Sequence, residues 1–178
     1  MECVESRRDR FEEVAPSLIE PVRRFLARRT DPATADDVLA ETLLVCWRRA
    51  EDLPEEPLPW VYGVARHCLQ NAQRSARRQE RLAARIAVVD PPDEVAPVPP
   101  EPDDDLTAAL ASLRPDDAEL LRLWAWEQLT PAEIARVVDL TPNAVSIRLH
   151  RAREKLKGHL RKDAAGSGHE ETTEGRTP

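Results

Sequence analysis

The chain is poor in residues that carry chemistry unaided. Only three cysteines, Cys3, Cys46 and Cys68, occur in 178 residues. They form no CxxC pair and show no ligand spacing to the four histidines. They therefore read as small buried hydrophobes or free thiols in a reducing compartment, rather than as a zinc or redox site. There is no Gly-rich phosphate loop and no nucleophile elbow. The one pair of catalytic type, His67 and Cys68, falls on consecutive helical positions, which do not face each other. An enzyme is not expected, and neither a metal nor a cofactor is called for. No apolar run approaches the ~18 residues of a membrane span. The opening MECVESRRDRFEE lacks an apolar signal core, so a cytoplasmic protein is expected. Lysine is scarce, 3 against 23 arginines, and with abundant alanine and proline this points to a GC-rich coding genome.

The net charge of −7 argues against a nucleic-acid partner until it is located. Residues 1–89 hold 15 basic and 15 acidic side chains, and residues 106–163 hold 10 and 8. Residues 90–105, DPPDEVAPVPPEPDDD, hold seven acids and no base. The acidity is thus concentrated in one connecting segment, and the flanking halves carry local basic patches, which are what a polyanion meets.

The sharpest pattern is TPAEIARVVDLTPNAVSIRLHRAREKLK, residues 130–157. Thr130 can cap a helix with Glu133 three residues on, and Pro131 suits the first helical position. Thr141-Pro142 repeats that start after a turn at Val138-Asp139-Leu140. Ile134, Ala135, Val138, Leu140, Val145, Leu149, Ala152 and Leu156 recur at helical spacing. The outer side of the second helix carries Asn143, Ser146, Arg148, His150, Arg151, Arg153, Lys155 and Lys157. This is a helix-turn-helix pattern with a basic recognition helix.

Upstream, a helical pattern begins at Phe11. Pro16 and Pro21 predict a break or a late start, and residues 1–10 are expected to fray. A second helix follows, capped by Thr34 or Asp36, with Val38, Leu39, Thr42, Leu43, Val45, Cys46 and Trp47 on its apolar side. Acids in its first half and Arg48-Arg49 at its end complement the helix dipole, and the acids also suit a basic partner. After the proline-rich loop Glu51–Pro59, a long helix from Trp60 carries Arg66, Arg74, Arg77, Arg78, Arg81 and Arg85 against one Glu80. His67, Gln70, Asn71 and Gln73 are interleaved. Such a mixture can hold phosphates and reach base edges.

Residues 90–105 contain six prolines and read as a linker. At ~3.1 Å per residue it reaches roughly 50 Å, about one and a half turns of B-DNA. A short helix near Leu106 then leads to AELLRLWAWEQL, with Leu120, Leu121, Leu123, Trp124 and Leu129 as core candidates. The tail after Lys162 has no apolar content and is expected to be disordered. The fold class is all-α: two small helical domains, 11–89 and 106–162, joined by the linker 90–105 and followed by the tail 163–178.

These residues resemble the extracytoplasmic-function sigma factors, small two-domain bacterial transcription initiation factors. VRRFLARRTDPATADDVLAETLLVCWRR is similar to the polymerase-binding helices of region 2, and WVYGVARHCLQNAQRSARR to the −10-reading helix. The stretch from LTAALASLRPDD to NAVSIRLHRAREKLKGHL resembles region 4 throughout. The resemblance implies binding to core RNA polymerase and to promoter DNA. On it, Asp37, Val38, Glu41, Leu43 and Trp47 lie on or behind the polymerase-binding face. Arg66, His67, Gln70, Asn71, Arg74, Arg77 and Arg78 lie along the −10 element. Asn143, Ser146, Ile147, Arg148, His150 and Arg151 face the −35 element. The loop Glu51–Pro59 falls where the family captures a flipped −10 base, and the linker would thread the polymerase interior. Many members are held inactive by an anti-sigma factor, a partner that the sequence neither demands nor excludes.

The chain departs from the family pattern at Ala40, where Gln is usual, and at Gln128 and Asp139, where Gly is usual. Ser146 replaces a basic residue and Ile147 a serine. Glu55 and Glu56 put negative charge in a loop expected near DNA. The alternative reading is a stand-alone helix-turn-helix regulator with residues 11–89 as a dimerisation or sensor domain.

Overall fold

The computed structural model describes residues 2–87 and 105–166, and among these it is all-helical. Seven α-helices run in chain order: α1 (Glu2–Ala27), α2 (Pro32–Arg48), α3 (Leu58–Ala87), α4 (Asp105–Ala111), α5 (Pro115–Ala125), α6 (Pro131–Val138) and α7 (Pro142–Gly166). A 3-10 turn, Ala50–Asp52, lies between α2 and α3. None of the described helices is long and apolar enough to cross a membrane. The linker, apart from Asp105, and the tail beyond Gly166 lie outside the described residues.

The chain forms two compact units, Met1–Ala96 with Glu133–Leu140, and Pro97–Ala132 with Thr141–Pro178. The sequence joins α6 to the helices that follow and precede it; by its contacts it groups with the first unit.

In the first unit α1, α2 and α3 pack on one another. Leu18, Val22, Phe25 and Leu26 of α1, Val38, Leu39, Thr42 and Cys46 of α2, and Val61, Tyr62, Ala65, Cys68 and Leu69 of α3 are buried. The rings of Phe25 and Tyr62 lie 5.1 Å apart, tilted by 30°. The buried Thr42 hydroxyl donates to the Val38 carbonyl at 2.7 Å. That bond satisfies a hydroxyl that has no access to water.

The break expected in the first helix does not occur; α1 is continuous through Pro16 and Pro21, and it begins at Glu2, within the stretch expected to fray. Each proline removes one ladder bond, to the carbonyl four residues back. Those carbonyls belong to Glu12 and Ser17, both on the exposed side, where water can replace the lost donor. Leu18, Val22, Phe25 and Leu26 hold the opposite side in the core. The cap of α2 also differs from expectation. Asp31, not Thr34 or Asp36, occupies the cap position, and its carboxylate accepts from the Thr34 amide at 3.0 Å. Pro32 then takes the first helical position, where its missing N–H costs nothing. This bond holds the Asp31 carboxyl below its ordinary range.

In the second unit α4 and α5 pack on α7. Leu110, Leu120, Leu121 and Leu123 meet the stripe Val145, Leu149 and Ala152, whose i, i+4, i+7 spacing is that of one helix face. Trp124, expected in this core, lies on the surface instead. Leu123 takes the inward position, and Trp124 is 38% exposed, with the Arg153 guanidinium over its ring at 4.4 Å from the centroid. α7 continues to Gly166, four residues into the stretch read as tail.

Two residues have left-handed backbones, Gln128 at φ 55° and Asp139 at φ 56°. Both stand where the family that the sequence resembles usually has glycine. At Asp139 the left-handed residue lets the Leu140 amide reach the Ala135 carbonyl at 3.0 Å. This bond closes the end of α6. Thr141 caps α7 as expected, accepting from the Ala144 amide at 3.2 Å.

Candidate polymerase and nucleic-acid interfaces

Three helix surfaces carry the candidate residues. On α2 the exposed side is formed by Asp36, Asp37, Ala40, Glu41, Leu44, Trp47 and Arg48. Asp37, Glu41 and Trp47 therefore reach solvent, Leu43 is half-buried, and Val38 belongs to the core. Leu44 was missed by the sequence reading, yet it is 45% exposed and Trp47 37%. Two large apolar side chains standing outward between carboxylates form a surface with both an apolar centre and an acidic border, an arrangement suited to a protein partner with basic groups. The i, i+4 and i, i+7 spacing of Ala40, Leu44 and Trp47 is the signal that would have found it. Arg7 supports this surface, its guanidinium 5.9 Å from the Trp47 ring centroid and 4.0 Å from the Glu51 carboxylate.

The second surface is on α3, a single 30-residue helix that passes through Gly63 without interruption. Up to Leu69 its inner side is buried, whereas from Gln73 to Arg85 every described side chain except Ser75 is exposed. At 3.6 residues per turn, Arg66, His67, Gln70, Asn71, Arg74, Arg77, Arg78, Arg81 and Arg85 share roughly 140° of arc. All are exposed or half-exposed. Among the described residues none of these arginines has an ion-pair partner, and Glu80 lies about 40° outside the edge of that arc. Salt bridges would have neutralised such a face; instead its charge is available to phosphates. The sequence named Arg66 to Arg78 for the −10 element, and the structure continues the same face to Arg81 and Arg85.

The third surface is on α7. Asn143, Ser146, Ile147, His150 and Arg151 are exposed at its N-terminal half, where a recognition helix meets base edges. Ile147 is a large apolar side chain turned to solvent, suited to a thymine methyl. The Ser146 hydroxyl donates back to the Pro142 carbonyl at 2.9 Å, leaving its lone pairs outward. Arg148 differs from the others: it is half-buried and donates to Asp117 of α5.

The thiols of Cys46 and Cys68 are free and buried. Burial raises both, Cys46 to about 11, so neither is a nucleophile at neutral pH. The described residues contain no group of His, Cys, Asp and Glu able to hold a metal. Beside the third surface, Leu106, Leu110, Leu121, Trp124, Trp126 and Leu156 line an apolar cavity of about 250 Å³.

Residues 103–156 match the family model "Sigma-70, region 4". The RNA polymerase sigma factor CarQ of Myxococcus xanthus is 31% identical over 159 residues, spanning 84% of this chain and 88% of that protein. The ECF RNA polymerase sigma factor SigL of Mycobacterium tuberculosis is 31% identical over 143 residues, spanning 75% and 79%. Two solved structures share the fold. The sigma factor RpoE of Bartonella quintana, in complex with the anti-sigma factor NepR, has a TM-score of 0.59 at 19% identity, covering 85% of this chain and 96% of that one. CnrH, in complex with the cytosolic domain of CnrY, has 0.54 at 21%, covering 89% and 90%. With close to a third of its residues shared with CarQ and SigL over most of their lengths, the chain belongs to the extracytoplasmic-function family of RNA polymerase sigma factors.

Proposed function

We propose that this alternative sigma factor binds core RNA polymerase through the exposed side of α2, engages the −10 element through α3 and reads the −35 element through α7. Asp37, Glu41, Leu44 and Trp47 make the polymerase contact, with Val38 and Leu43 supporting it from behind. Arg66, His67, Gln70, Asn71, Arg74, Arg77 and Arg78 follow the −10 strand, whose bases become available for capture once the duplex opens. Asn143, Ser146, Ile147, His150 and Arg151 face the −35 duplex, and Arg148 lies beside them. Residues 11–89 and 106–162 act as two modules, with the linker 90–105 spanning between their DNA elements. The protein contributes binding and positioning and no catalysis of its own, and it acts in the cytoplasm alongside the polymerase. An anti-sigma factor is the class of regulatory partner to seek.

The observation that carries this reading is the arginine face of α3, an unneutralised cationic surface on a helix that runs past its own core. A stand-alone regulator needs only the helix-turn-helix and gives no role to that second basic surface. Run-off transcription with core polymerase and genomic fragments tests the proposal. Promoter-specific transcripts that require this chain are expected. Failure to form a complex with core polymerase, or transcripts that do not depend on the chain, would overturn it.

A further inference from the structure

The exposed side of α7 has a front and a flank. At 3.6 residues per turn, Asn143, Ile147, His150 and Arg151 lie within roughly 60° of its midline. Arg148 lies about 110° from it, at the border with the buried stripe Val145, Leu149 and Ala152. Its guanidinium is already engaged. Nε and Nη2 both donate to Oδ1 of Asp117, at 3.1 and 2.8 Å, and Nη2 is 3.9 Å from Oδ2 of Asp116. The Asp117 side chain is only 16% exposed and sits in the first turn of α5, where the helix dipole favours a carboxylate.

We propose that Asp117 is a positioning residue that makes Arg148 a phosphate contact. With one edge of the guanidinium fixed against α5, the Nη1 edge is presented to the DNA backbone beside the groove. Base reading is left to Asn143, Ile147, His150 and Arg151. The inference rests on the −35 role of α7 and refines it. A recognition helix meets base edges along its front, while its flanks and neighbouring helices face the phosphates. An arginine whose Nε and Nη2 are already committed has lost much of its freedom to make a bidentate guanine contact. Held in place beforehand, the same arginine loses less freedom when it meets a phosphate. Arg151, without an ion-pair partner among the described residues, keeps its whole fork for a base.

The test uses holoenzyme assembled from the full chain and core polymerase, bound to a promoter duplex identified by run-off transcription. Each −35 base pair is substituted in turn, and binding is measured across a salt series. Arg148→Gln is expected to weaken all sequences alike and to lower the slope of log K against log salt by about 0.9. Asp117→Asn is expected to keep that slope while weakening binding about two- to tenfold. Simple removal of a negative charge near DNA would instead tighten it. Arg151→Gln is expected to relax preference at its base pair by roughly 5- to 150-fold. Relaxed base preference in Arg148→Gln, or unchanged or tighter binding in Asp117→Asn, would overturn the proposal. If Arg148→Gln does not fold by circular dichroism, Asp117→Asn carries the test alone. Failure of the underlying −35 role looks different: substitutions along the whole front of α7 would then leave base preference untouched.

Discussion

Replacing Gln128 with glycine should stabilise the unit built from α4, α5 and α7. Gln128 is exposed, and its backbone is left-handed at φ 55°. For a residue with a Cβ that conformation costs ~1–2 kcal/mol. Glycine removes the cost, but it also frees the unfolded chain, which returns about 0.4–1 kcal/mol. The difference is a net gain of roughly 0.5–1 kcal/mol, or a rise in Tm of about 3–6 °C for a module of this size. Trp124 and Trp126 lie within four residues of the site, so urea unfolding followed by tryptophan fluorescence reports on it, with an unchanged m-value expected. Gln128→Ala is the control: it keeps the Cβ and the strain, and should change stability little. A glycine variant no more stable than the alanine variant would refute the argument that strain, rather than a lost side-chain contact, is at stake.

Phe25→Ala, which empties the centre of the first unit and unpairs Tyr62, is expected to cost ~3–5 kcal/mol and to leave little folded protein by circular dichroism. Trp47→Ala should leave the helical spectrum largely unchanged, because Trp47 stands at the surface of α2 rather than among its fully buried residues, while weakening complex formation with core polymerase about 10- to 100-fold in a competition assay. The Asp31 carboxyl titrates lower in the folded protein than in the unfolded chain. Its contribution is therefore present above the unfolded pKa and is lost as pH falls through the folded one. Asp31→Asn keeps a cap without that titration, so its stability should decline less steeply between about pH 5 and pH 2. In a Cys3→Ser background, Cys46 and Cys68 should resist a disulfide reagent at pH 8 in native protein and react promptly in denaturant, since burial holds both thiols protonated.

Much of the architecture was legible because the repeat of apolar residues is helical throughout. The spacing of Val145, Leu149 and Ala152 and the Thr141 cap located α7 from composition alone, and the absence of acids among Arg66 to Arg78 located the cationic face of α3. What was not legible depends on which side faces water. Pro16 and Pro21 carry a strong local signal for a break, but their freed carbonyls face solvent and the packed side holds the helix together. Trp124 has the hydrophobicity of a core residue, yet periodicity cannot tell which of two neighbouring apolar residues turns inward, and Leu123 does. Leu44 was hidden for the opposite reason, an apolar residue in an apolar stretch that nonetheless points out. The engagement of Arg148 joins residues 31 apart in sequence, a separation at which no local pattern carries information.

The outer half of α3 has a thermodynamic consequence. Beyond Asn71 it is a helix with almost no tertiary partner, even Leu82 being 59% exposed, and short isolated helices are marginal in water. Arg74 with Arg78, Arg77 with Arg81, and Arg81 with Arg85 place like charges at i, i+4 positions, where they repel. Polyanion binding removes that repulsion, so ligand and helix formation are linked equilibria: whatever tightens the segment strengthens binding, and binding in turn tightens the segment. The ionic strength that governs affinity therefore acts twice, once by screening the contact and once through the folding of the element that makes it.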